Sequence, residues 1–409
     1  MHGAWWVAYA VLALPLALPL AVAPAAAQEG DEPVAVFERP REAFDAKGLD
    51  LGGFRLFPRL SVSETYDDNI FADESGVEDD FITSVAASLV ARSEWSRHSL
   101  RVVGRVRNET FLDNSSQDRT EYLIRPQLRL DLAERNQADF SAEHSRQVIG
   151  RDDPEDTGEE DPTEFDRFQV NGGYIHRFNR VSVGGQVQAR RDDYISTGDD
   201  DRDRVEYRFG LPIGYEISEI TDVTLEPFFR IRDFDELDET GADRDARAGG
   251  ATIGIETELS RLVHVALDVG FIANDFENPD FDDDVDFIVD GDFTWYVTGL
   301  TTVKGRLARR DNATNTPGSS SKTESTIAGE VQHELMRNVL LVAEARYVQD
   351  DFREVDRVDD RAIFSLGGEY LINRYISIGA DYRYVQRWSD EEDRDFTRNL
   401  VTIGLRTKF

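Results

Sequence analysis

The chain has 409 residues, with 46 Lys and Arg against 81 Asp and Glu, a formal net charge of −35 and no cysteine. That acidity repels a phosphate backbone and excludes non-specific nucleic-acid binding, and without thiols there is neither a disulfide framework nor a thiolate metal site. A mean hydropathy of −0.48, with no apolar run of about eighteen residues after the amino terminus, excludes a helical membrane protein but not a barrel, in which only alternate side chains meet lipid.

Residues 5–27 are almost wholly apolar and end in Ala25-Ala26-Ala27 before Gln28, the pattern of a signal peptide with its cleavage site. His2 stands where a Lys or Arg is usual. Pro15, Pro19 and Pro24 argue against the alternative, an uncleaved anchor helix. Residues 28–52 are charged, carry Pro33 and Pro40, show no sustained period and read as a periplasmic lead-in.

At Gly53 the pattern becomes strict alternation, the mark of strands with one apolar and one polar face. Strands are expected at 53–66, 81–92, 98–110, 119–132, 137–150, 164–178, 181–195, 204–217, 222–235, 246–258, 262–275, 284–297, 300–312, 322–335, 338–351, 359–371, 374–388 and 395–409. Connections alternate between short turns, such as Asn179-Arg180 and Ser260-Arg261, and longer acidic loops, such as 67–80 and 151–163. Nine long loops interleaved with eight short turns predict an all-β, up-and-down antiparallel transmembrane β-barrel of about 18 strands, with both termini on the short-turn side. A solenoid or a pair of soluble sandwiches would need the second face of each strand to be packed, and that face is charged.

The apolar face includes Tyr207, Phe209, Leu211, Ile213, Tyr215 and Ile217 on one strand and Ile376, Ile378, Ala380, Tyr382 and Tyr384 on another. Lipid is its simplest neighbour, with aromatic residues such as Tyr174, Phe178, Trp295 and Tyr347 as interfacial girdles. On the opposite face, Arg101, Arg105, Arg107, Arg125, Arg129, Arg190, Arg208, Arg230, Arg306, Arg346, Arg383, Asp290, Asp292 and Glu344 are expected to line a pore. Basic and acidic residues are about equal on this face, so the acidic excess belongs to the loops and lead-in. The charged wall could steer an anionic polymer or form a network of ion pairs that only keeps the lumen polar. The acidic loops, for example 151–161 and 278–285, lack the spaced ligands of a calcium loop and read as solvated, mutually repelling segments. No cofactor or metal is expected. Of the histidines, His2 is in the signal segment, His98, His176, His264 and His333 stand beside short turns, and only His144 is mid-strand. No triad assembles, and an enzyme is not expected.

The last strand alternates through Val401, Ile403, Leu405, Thr407 and Phe409, and in this it resembles the final strand of bacterial outer-membrane barrels, which the barrel assembly machinery reads. The segment Leu51-Gly-Gly-Phe-Arg-Leu-Phe-Pro-Arg-Leu-Ser-Val-Ser-Glu-Thr-Tyr-Asp-Asp-Asn-Ile-Phe71 resembles the start of the β-barrel porin-2 family of outer-membrane proteins. That resemblance covers about 50–409. It implies the outer membrane of a Gram-negative bacterium, contact with lipid and lipopolysaccharide, and an exopolysaccharide or capsule export apparatus as partner. The expected function is thus a passive pore or the exit channel for a secreted polysaccharide. The alternative is a structural or adhesive surface barrel with a closed lumen. A third reading, a lipid hydrolase, would depend on His144.

Overall fold

The computed structural model describes residues 33–156, 158, 161–196 and 198–409; the signal segment at 1–27 lies outside them. After a three-residue strand β1 (Leu49–Leu51), the chain runs through β2 (Phe54–Asp67), β3 (Asp80–Ser93), β4 (Ser99–Phe111), β5 (Arg119–Ala133), β6 (Asn136–Val148), β7 (Glu164–Arg177), β8 (Val181–Tyr194), β9 (Arg204–Gly210) and β10 (Ile213–Ser218). It continues through β11 (Thr221–Phe234), β12 (Ala246–Ser260), β13 (Val263–Phe276), β14 (Asp284–Thr298), β15 (Thr301–Asn312), β16 (Lys322–Met336), β17 (Val339–Phe352), β18 (Arg357–Leu371), β19 (Ile376–Ser389) and β20 (Phe396–Lys408).

β9 and β10 are one barrel strand. Gly210 pairs with Gln186 and Phe228, and Ile213 pairs with Val183 and Leu225, so register is kept across the gap. The interruption falls at Leu211-Pro212, where proline has no N–H to give the ladder. Each remaining strand pairs antiparallel with its sequence neighbours, and β2 pairs with β20 from Arg59↔Lys408 to Asp67↔Leu400, which closes the sheet on itself. The result is a closed barrel of 18 strands, and each expected strand end falls within two residues of the observed one. Closure removes the open edge that an exposed sheet would present.

Side chains partition as the alternation dictates. Val401, Ile403 and Leu405 are exposed, while Thr402 and Gly404 between them are buried. The ladder from Tyr207 to Ile217 stays exposed through the Pro212 break. Thus the outside is an apolar band and the inside is largely polar, with only small apolar clusters such as Phe228, Ala248 and Ile272. Glycine lets this inner wall close up. A Cβ at Gly250 would run into the Phe228 ring and the Phe271 carbonyl oxygen.

Segments from both ends of the barrel enter the lumen. At the short-turn end, residues 34–44 lie against the inner wall of β15–β18. Val36 and Phe37 bury against Leu340, Val342 and Leu371, with Phe44 alongside. The Val36 N–H donates to Thr302 Oγ1 (3.2 Å) and the Phe37 N–H to Gln332 Oε1 (3.2 Å). Arg41 meets Glu334 at 2.8 Å, and Lys304 meets Glu38 at 3.2 Å. At the other end, the loop between β6 and β7 folds inward. The solvated state expected for residues 151–161 is therefore corrected for the described residues 151–156: Arg151 and Asp156 are buried, and Asp152, Glu155 and Asp156 have basic partners. The reason is tertiary. Sequence neighbours of like charge repel one another, but basic side chains of distant strands offset that repulsion once the sheet closes.

Candidate functional site: the lumen

The inner face of β2–β9 and β15–β20 surrounds a cavity of about 650 Å³, the size of a small-molecule pocket. Of the residues expected to line a pore, Arg105, Arg107, Arg125, Arg190, Arg346 and Arg383 border it. The others lie elsewhere in the barrel wall. Arg101 donates to Gln127 Oε1 (2.8 Å) and Arg129 meets Asp131 (3.1 Å), both towards the short turns. Arg208 pairs with Glu226 (2.9 Å), and Arg230 pairs with Asp311. Arg306 bridges Asp290 (2.8 Å) and Asp292 (2.5 Å), and Glu344 accepts from Arg346 at 2.7 Å. Arg119, Arg167, Arg204, Arg361, Arg398 and Lys322 also border the cavity and were not singled out from the sequence. The signal was available: each shares the inward parity of its strand. They stand near the long-loop ends, where strand and loop are hardest to separate by pattern.

Within the wall these groups form tight pairs. Arg167 grips Asp192 with two bonds of 2.6 and 3.0 Å, Arg119 meets Glu109 at 2.7 Å, and Arg398 holds Asp67 through two oxygens. Pairing of this kind offsets the cost of burying charge in a confined lumen.

The inward loop adds a second layer. Ile149 packs with Phe165 and Tyr194 and fixes its root. From there Asp152 reaches the far wall, where its Oδ2 lies 3.2 Å from Arg383 and its Oδ1 3.6 Å from Arg398; Arg361 donates to its backbone carbonyl at 3.2 Å. Glu155 sits 3.1 Å from Lys322 Nζ and accepts from Thr314 Oγ1 (3.1 Å) in the 313–321 loop. Arg357 donates to the Pro154 carbonyl at 2.8 Å. Burial pushes the Asp152 carboxyl up, but Arg383, Arg398 and Arg361 outweigh it and hold the group below the usual carboxylate range. Glu155 is held down in the same way, Lys322 opposing its burial.

Around the cavity, setting aside Arg146, which faces outward, thirteen Arg and Lys stand against eight Asp and Glu. These basic groups are in turn paired with carboxylates set behind the cavity surface, among them Asp67, Asp192, Glu206, Glu344 and Asp350, so the cavity surface is rich in guanidinium groups while its surroundings are close to balanced in charge. Among the described residues no group of three His, Cys, Asp or Glu is placed to hold a metal ion. His144 points outward, its ring nitrogen 3.1 Å from the Tyr122 hydroxyl, while Ser145 points inward and is buried. A nucleophile and base cannot meet there.

Comparison with solved structures finds barrels of low sequence identity. The outer membrane protein opdK of Pseudomonas aeruginosa is 10% identical with a TM-score of 0.45, over 87% of this chain and 99% of that one. OccAB3 of Acinetobacter baumannii is 9% identical with a TM-score of 0.46, over 87% and 99%. OccK2 (OpdF) of Pseudomonas aeruginosa is 10% identical with a TM-score of 0.48, over 87% and 98%. A comparison with curated protein sequences finds no match. The model of one family, described as Putative beta-barrel porin 2, matches residues 42–409, nearly all of the barrel chain, and the protein belongs to that family.

Proposed function

We propose that the protein is a narrow channel of the Gram-negative outer membrane that conducts anionic solutes, with a secreted acidic polysaccharide as its substrate class. The observation that carries this reading is the set of guanidinium groups on the surface of the lumen cavity in a chain of net charge −35. Guanidinium groups on the surface of a confined lumen, with their paired carboxylates behind them, present charged donors to a passing anion. The long loops then face outward from the cell, and the lead-in faces the periplasm, where an export apparatus would deliver the polymer. The apolar outer band contacts lipid and lipopolysaccharide, and the exposed Val401, Ile403, Leu405 and Phe409 suit recognition of the last strand during assembly. The family and the lumen geometry favour a channel over an enzyme.

A planar bilayer under a KCl gradient tests the reading. The reversal potential should report anion preference of roughly threefold or more, and Arg346→Glu with Arg383→Glu should abolish it. A second reading, a closed structural barrel, is favoured by the docking of residues 34–44 and the inward loop inside the lumen. Repeated insertions without any conductance would establish that alternative and end the channel reading.

A further inference from the structure

Asp152 is a carboxylate carried on a loop and set down on a wall of guanidinium groups belonging to strands far from it in sequence. Its contacts are longer than the tightest of the wall. Arg167 and Asp192 meet at 2.6 and 3.0 Å through two bonds, whereas Asp152 sits at 3.2 Å from Arg383 and 3.6 Å from Arg398. Arg398 is already held by two oxygens of Asp67, and Arg361 is tied to Asp350 at 2.9 Å. Arg361 and Arg398 are therefore positioned independently of the loop, and Arg361 keeps a buried Nε with no hydrogen-bond partner. A preorganised basic site with one loosely seated carboxylate has the geometry of a ligand site filled from within.

Resting on the channel reading above, we propose that Arg361, Arg383 and Arg398 form a carboxylate-binding site for a uronic acid unit of the passing saccharide, and that Asp152 occupies this site in the resting state. A substrate carboxylate replaces Asp152 on the same guanidinium groups, with no net change in the number of ion pairs, and the loop is released from the far wall. A carboxylated chain then widens its own path, while a neutral sugar leaves the loop where it is. Glu155 on Lys322 marks a second, neighbouring point at which the loop is held.

The test is calorimetric titration of the full-length protein in detergent with a glucuronic acid oligosaccharide, and with maltotriose as the neutral control. Asp152→Asn removes the internal competitor and should tighten glucuronate binding about tenfold, as for a site open a tenth of the time. Arg383→Gln should abolish binding while leaving the heat-modifiable mobility of the barrel intact. Equal affinity in the wild type and Asp152→Asn, or equal binding of maltotriose, would overturn the proposal. Binding is read apart from conductance, so a barrel that binds glucuronate as expected but never conducts would refute the channel reading and leave the site standing.

Discussion

At the scale of single residues, one loop carboxylate makes the lumen sensitive to pH. Burial pushes the Asp156 carboxyl up to about 6, against the pull of Arg151 beside it; Asp153 is also raised by burial, with Lys322 and Arg361 opposing. The docked loop keeps a proton that a released loop would give up near the ordinary carboxylate value of about 4. Docking is therefore strongest below that value and weakens as pH rises through about 6. Asp152 and Glu155 have the opposite sign: held low by their basic partners, they favour docking throughout this window and lose that contribution only in stronger acid. Single-channel conductance should accordingly be lower at pH 5 than at pH 7.5. Asp156→Asn should flatten most of that difference, and a full pH response in this variant would assign it to another group.

At the scale of elements, the lead-in is the part most easily detached. It touches the inner wall through one apolar patch, two backbone N–H donors and a few ion pairs to Glu334 and Lys304. None of the barrel ladder depends on it, because closure runs through β2 and β20. Placing a charge in that patch, by Val36→Asp or Phe37→Asp, would bury a carboxylate among Leu340, Val342 and Leu371 at a cost of several kcal/mol unless the segment undocks. Bilayer recordings should show a conductance increase of roughly twofold or more with either variant, with unchanged resistance of the folded barrel to SDS before heating. Unchanged conductance would mean that these residues do not obstruct the path.

At the scale of the molecule, closure decides whether there is a lumen at all. Thr65 and Thr402 face each other across the β2–β20 seam, their hydroxyl oxygens 2.8 Å apart, in a chain that has no cysteine of its own. Cysteines introduced together at both positions should form an intrachain disulfide on mild oxidation, seen as a mobility shift that reduction reverses. Failure to cross-link in the detergent-folded protein would mean that the strands do not meet head to tail.

The alternation of Tyr207 to Ile217, the spacing of short turns and acidic loops, and the inward parity of Arg105 or Arg383 are local properties. A strand has period two whatever surrounds it, and lipid on one side makes the sorting strict. So the eighteen strands, their order and their lipid-facing sides were legible residue by residue. What occupies the interior was not. Asp152 reads as one more charge in a repelling acidic run, and Val36 and Phe37 read as two apolar residues in a charged lead-in. Nothing nearby in sequence indicates that Arg383 and Arg398 lie within reach of the first, or Leu340 and Val342 within reach of the others. Arg383 is 231 residues from Asp152, and such partners come opposite the loop and the lead-in only when β2 and β20 join. The sequence by itself determined a barrel and which half of each strand faces lipid, and tertiary closure alone decided how open its lumen is and which charges meet inside it.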